Sequence, residues 1–399
     1  MSLEQLARSR PAAFEAAAFL WALALRAALL SVLVLHTGRH ARELALIYDG
    51  HVYILIAKSF PTPYVGIEKI FPAYRDSSFF TGWFPLYPAA IAAVAALARD
   101  AAWSALLASQ LLGSLAVALF SALARRVTTR PALATFLFAF FPPTWLLTGT
   151  LSFVEPAFLC CLIAAAERFL AGRDWEAAAL AGLAAIAQKT GVLFVPVLLG
   201  AMARRGDLKA RAPKYFLSLC GLAALAAYFA FVFRDPWAAA RVQSQAFRSW
   251  PFQVPFASIT EGLLAPTQPF DGHFWLRKAL IASSCGFYLW ALVGARAGRD
   301  PAARLLRVWL GVALLFHVSL KIYNLYGFYS FSRYLVMGAP AAVLLVARDG
   351  RLSSRWLWTA GAALIPLAFA VDAIEVSAAW DFVRRAWPAG YFESLASHL

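Results

Sequence analysis

Apolar stretches of about 17–25 residues, the length that crosses a bilayer core as a helix, recur along the whole 399-residue chain. The first runs from Phe14 to Leu35. Arg26 lies near its middle, where a bare charge is costly in lipid, so it should face other helices. A long loop follows, from His36 to about Asp100. It holds a short amphipathic helix (Val52, Leu55 and Ile56 apolar, Lys58 polar) and a Pro-punctuated segment. Its apolar piece Ala89–Ala98 is too short to cross. Further spans are read at 101–124, 132–148 and 151–166, the last two sharing a tight turn that carries Glu155-Pro156. Residues 175–203 form an apolar stretch interrupted by Gln188-Lys189-Thr190-Gly191. Basic loops flank it on both sides, so the chain must go up and come back. Each limb is then about 14 residues, ~21 Å at 1.5 Å per residue, short of the ~30 Å core. Lys189 should sit below the surface, inside the bundle. Spans at 215–233, 279–295, 305–320, 334–347 and 356–371 complete about eleven crossings. A second long loop covers 234–278, and Asp372–Leu399 is expected outside.

Charge orients this pattern. Arg125, Arg126 and Arg130, then Arg168 and Arg173, then the later arginine-rich loops fall on one side, which the positive-inside rule makes cytoplasmic. A crossing at Ala89–Ala98 would put the first of these groups on the wrong side. The N-terminus is therefore expected in the cytoplasm, and Ala89–Ala98 along the opposite interface. The expected fold is an all-α polytopic membrane protein: a single transmembrane domain over 1–399, with a first outer loop at 37–100 containing juxtamembrane helices and a second at 234–278.

Composition agrees. The chain is 62% hydrophobic and 14% charged, against about 45–50% and about 25% in soluble domains. The net charge of +15 reads as basic cytoplasmic loops meeting anionic lipid. No basic run is interleaved with aromatics, so nucleic acid is not expected. The four cysteines all lie in apolar spans with no CxxC pair, which supports neither a disulfide framework nor a zinc site. No metal and no resident cofactor is expected.

Four ionisable positions sit where a bundle should be apolar or at its outer mouth: Asp49, Glu155, Lys189 and Arg333. Each has an ordinary reading. Asp49 precedes a helical run and makes a good N-cap. Glu155 before Pro156 is a common first-turn residue, Lys189 can snorkel, and Arg333 can anchor at the interface. The other reading takes them together. Two cations can hold a phosphate, and a carboxylate can take a proton from a hydroxyl. Tyr48, His51, Arg75 and Tyr87 are possible substrate contacts.

Tyr48-Asp49-Gly50-His51 with Ile56-Ala57, followed by Phe84-Pro85-Leu86-Tyr87-Pro88, resembles the first outer loop of GT-C glycosyltransferases. It is most similar to the bacterial relatives of GPI mannosyltransferase II, although Tyr48 stands where Trp is usual. Gly149 to Pro156 resembles the second acidic site of lipid A aminoarabinose transferases and protein O-mannosyltransferases. Ala187-Gln188-Lys189-Thr190-Gly191 resembles their Thr-Lys-Gly hinge, and Ser332-Arg333-Tyr334 through Pro340 their late Arg-Tyr…Pro segment. The resemblance implies an inverting glycosyltransferase in a bacterial inner membrane. It would move a sugar, mannose as first guess, from a polyprenyl-phosphate donor to a glycan, lipid or protein acceptor. Asp49 would be the base, Glu155 its support, and Lys189 and Arg333 the phosphate grip. The rival readings are a transporter or flippase of a lipid-linked saccharide, with the carboxylates as proton relays, and a non-catalytic scaffold.

Overall fold

The computed structural model describes residues 2–62, 81–204, 206–245, 274–296, 298, 300–319 and 335–386. Every regular element among them is a helix. Helix α1 (Leu3–Ser9) opens with a capping box between Ser2 and Gln5. Helix α2 (Pro11–Thr37) starts on a proline and stops at Gly38, whose left-handed φ of 65° suits glycine. Helix α3 (Gly50–Ser59) matches the expected amphipathic piece. Helix α4 (Leu86–Ala98) is 13 residues long, ~20 Å and too short to cross. Asp100 then caps α5 (Ala101–Val127) through Trp103 N at 2.9 Å, so α4 doubles back onto α5.

The next expected span does not run through. Helix α6 (Pro131–Phe140) stops and α7 (Thr144–Thr148) begins only after Pro142-Pro143, two residues that bring no N–H to a helix ladder. The turn expected before Glu155 is likewise not a tight surface turn. Residues 149–154 form an irregular, buried segment ahead of α8 (Glu155–Leu170). Helices α9 (Asp174–Ala187) and α10 (Phe194–Ala203) are separated by a 3-10 turn at Lys189–Leu193, the expected break. Helices α11 (Leu217–Phe233), α12 (Phe274–Val293), α13 (Pro301–Ser319) and α14 (Ala339–Arg348) follow. Helix α15 (Ser354–Ala386) continues well past the expected end at Val371. Asp372 and Glu375 are therefore buried helix residues rather than part of an external tail.

Small residues bring α9 and α11 together. A Cβ on Gly182 would lie 3.1 Å from Ser218 O, and Gly221 backs directly onto Gly182, the close approach that glycines allow between membrane helices. One large core joins α5, α6, α8, α9, α10, α13 and α14. A second core joins the ends of α2 and α15 to residues 44–57 and the 146–157 segment.

The arginine-rich loops meet at one end of the bundle and close backbone carbonyls there. Arg130 donates to Leu352 O at 2.7 Å, Arg351 to Gly294 O at 2.6 Å and Arg304 to Arg204 O at 2.6 Å. Asp349 accepts from Arg351 Nη2 at 2.6 Å and Arg296 N at 3.2 Å. These bonds hold its carboxyl well below the usual carboxylate range.

Candidate active site

The opposite end of the bundle carries Asp49. The chain reaches it through a tight turn in which a Cβ on Gly50 would strike Ala45 O and lie 3.0 Å from the Ser152 Cβ, so glycine is required there. The strain falls two residues before the glycine that an Asp-Gly pair points to: Tyr48 has φ 54°. A bulky residue in that region costs about 1–3 kcal/mol and persists only where its surroundings impose it. Two contacts do so. The Tyr48 hydroxyl donates to Glu375 O at 2.8 Å, and its ring lies 5.5 Å from that of Phe153.

Asp49 occupies the N-cap position of α3, yet it makes no side-chain capping bond. Its φ of −80° and ψ of −4° are helical, whereas a capping residue is ordinarily extended. Its carboxylate is half-buried. His51 Nδ1 lies 3.1 Å from Leu46 O, which makes Nδ1–H the donor in the neutral ring. Desolvation lowers the His51 pKa, against the opposing pull of the Asp49 charge, so the imidazole is neutral near pH 7.

Glu155 opens α8 and is 1% exposed. The segment before it is fixed from two sides. The Ser109 hydroxyl on α5 lies 3.2 Å from Phe153 N and 3.3 Å from Phe153 O. Tyr87 on α4 reaches Ser109 at 2.6 Å and Ala105 O at 3.0 Å, and is itself fully buried. At the far end of the segment Gly149 packs on Arg26. That guanidinium is fully buried, sits 5.3 Å over the Trp145 ring and donates to Ala22 O at 3.1 Å. Arg26 therefore faces the bundle, as its cost in lipid demands.

The structure thus brings the Asp49 turn and the Glu155 segment into contact through Tyr48–Phe153 and Gly50–Ser152. Lys189 is half-buried at the α9–α10 break. Ile186, one turn before it, packs with Phe84 and Phe229, and α9 touches α4, so the break adjoins the helix that carries Tyr87. Arg75 and Arg333 lie outside the described residues. Sequence reading missed Asp372 and Glu375, which come to the same end on α15, next to Leu147 and Tyr48. Two acids one helical turn apart past the apolar core of a span were the available signal.

No known family pattern matches the sequence, and no characterised protein matches it in sequence. Solved structures do match. The crystal structure of ArnT from Cupriavidus metallidurans bound to undecaprenyl phosphate has a TM-score of 0.55 and 17% identity, over 94% of this chain and 74% of that one. The same protein in the apo state gives 0.52 and 16%, over 96% and 77%. The fold is that of the GT-C glycosyltransferases. With it, the five helices among the described residues that are long and apolar enough to cross on their own mark an integral membrane protein. At such identity the likeness is one of architecture. Kinship with GPI mannosyltransferase II rests on the sequence motifs alone.

Proposed function

We propose that the protein is an inverting glycosyltransferase that moves a sugar from a polyprenyl-phosphate donor to an acceptor hydroxyl. The observation that carries this reading is the contact between the Asp49 turn and the Glu155 segment in a bundle shaped like ArnT, a protein crystallised with undecaprenyl phosphate. Asp49 takes the acceptor proton as the new glycosidic bond forms and the bond to phosphate breaks. Glu155 orients the acceptor or supports Asp49. Lys189 and Arg333 hold the departing phosphate and offset its growing charge. Neutral His51 stands beside Asp49. Tyr87, locked between α4, α5 and Ser109, supports the Glu155 segment from behind.

The arginine-rich end faces the cytoplasm of a bacterial inner membrane, and the acidic end faces the periplasm. Mannose is the sugar that the resemblance to GPI mannosyltransferase II relatives points to. The test is mass spectrometry of products after purified protein is incubated with polyprenyl-phosphate-mannose and membrane extract. A hexose added to an acceptor, lost in Asp49→Asn, supports the reading. Saccharide movement across vesicles that depends on a pH gradient and leaves no covalent product would favour a transporter. With the phosphate held by side chains, EDTA should leave turnover within about twofold.

A further inference from the structure

The end of the last helix grips the stretch leading to Asp49 at three points. His36 Nε2 lies 3.0 Å from Ser377 Oγ, the Arg39 guanidinium sits 4.9 Å over the Trp380 ring, and the Tyr48 hydroxyl donates to Glu375 O at 2.8 Å. The Phe153 ring packs against that of Tyr48 with centroids 5.5 Å apart. Within this clamp Tyr48 holds its left-handed backbone, and Asp49 directly after it stays helical without capping α3.

We infer that Tyr48 is a positioning residue for Asp49 and that residues 375–380 of α15 form the latch that keeps it strained. The physical link is a choice between two backbone states. With Tyr48 held at positive φ, Asp49 enters α3 already helical and its side chain makes no capping bond to the first turn. With the clamp released, Tyr48 relaxes to negative φ. Asp49 can then become extended and bond those amides, as an N-cap aspartate ordinarily does. The relaxed state is the more stable local structure, but it takes the carboxylate out of use. A strained residue beside a reacting group, held by distant parts of the chain, is the pattern expected of stored pre-organisation. This inference rests on Asp49 being the base of the proposed transfer.

The discriminating variants are Tyr48→Phe, which keeps the ring and removes the bond to Glu375, and Ser377→Ala, which loosens the grip one residue pair away. Steady-state transfer with polyprenyl-phosphate-mannose should show kcat lowered about 10–100-fold in Tyr48→Phe and less in Ser377→Ala. The donor KM should stay within about twofold. Hydrogen exchange provides a readout independent of turnover. Amides over 45–49 should exchange faster in Tyr48→Phe, and those of α5 should not change. Unaltered exchange, or a wild-type kcat, overturns the latch. Wild-type protein that makes no product while Tyr48→Phe still shows the exchange change overturns the transferase reading and leaves the latch standing.

Discussion

One hydroxyl, that of Ser109, reaches both backbone groups of Phe153: its oxygen lies 3.2 Å from the amide nitrogen and 3.3 Å from the carbonyl oxygen. Tyr87 completes the node from behind at 2.6 Å. The residues are buried, so deleting the hydroxyl leaves the Phe153 amide without it in a low-dielectric setting, at about 1–3 kcal/mol. Ser109→Ala should lower the melting temperature in detergent, and Ser109→Thr should recover most of the loss. Equal melting of the alanine variant and wild type would show that the node contributes nothing.

Arg26 fills a socket whose walls are Gly113 and Gly149. A Cβ on either glycine would come within 2.6 Å of the guanidinium Nε. Overpacking of this kind costs about 1–3 kcal/mol. Gly149→Ala should lower the melting temperature, whereas the same change in an Arg26→Met background should cost clearly less, because the flexible thioether can give way. The double-mutant cycle reads this coupling directly, and strict additivity would contradict the socket.

At the arginine-rich end, Asp349 is fully buried and bonded to Arg351 and Arg296. Its folded-state pKa is lowered. The stability it contributes is therefore fully present above the unfolded value of about 3.9 and is lost as pH falls through the folded one. Asp349→Asn should melt earlier than wild type at pH 7, and the gap should narrow as scans approach pH 3. A gap that widens on acidification would refute the assignment.

Asp372 presents the reverse situation. It is fully buried and, apart from the Leu147 backbone amide beside it, neither carboxylate oxygen has a hydrogen-bond partner among the described residues. An unsatisfied acid in such a place costs stability. Asp372→Asn should keep or raise the melting temperature. A drop of several degrees would mean that the ionised form is needed in the folded protein.

Much of this arrangement was legible in the chain. Long apolar runs and the placement of arginines located α2, α5 and α13, and the polar insertion Gln188-Lys189-Thr190-Gly191 marked a real break between two short helices. Hydropathy failed where polar atoms are buried among protein rather than exposed to water. Asp372, Glu375 and Asp381 ended the apolar run at Val371, yet α15 continues, with Asp372 and Glu375 buried next to Leu147 and Tyr48 and only Asp381 exposed. The Pro142-Pro143 pair was visible, but the apolar residues around it disguised a helix end as a span. Backbone strain was beyond reach. Asp-Gly points to glycine as the residue with positive φ, and tertiary contacts moved that burden to Tyr48.

The break at Lys189 also bears on the surrounding lipid. Helix α9 has 14 residues, ~21 Å, and α10 has 10, ~15 Å, while Leu183 and Val192 beside the break are exposed. A bilayer whose hydrocarbon is ~30 Å thick must dip to meet so short a hydrophobic wall. On the proposed transferase reading, that dimple would lower the headgroup plane toward Lys189 and shorten the climb for the donor phosphate. Reconstitution into lipids of increasing acyl length should then slow the protein progressively, as a thicker membrane resists the indentation.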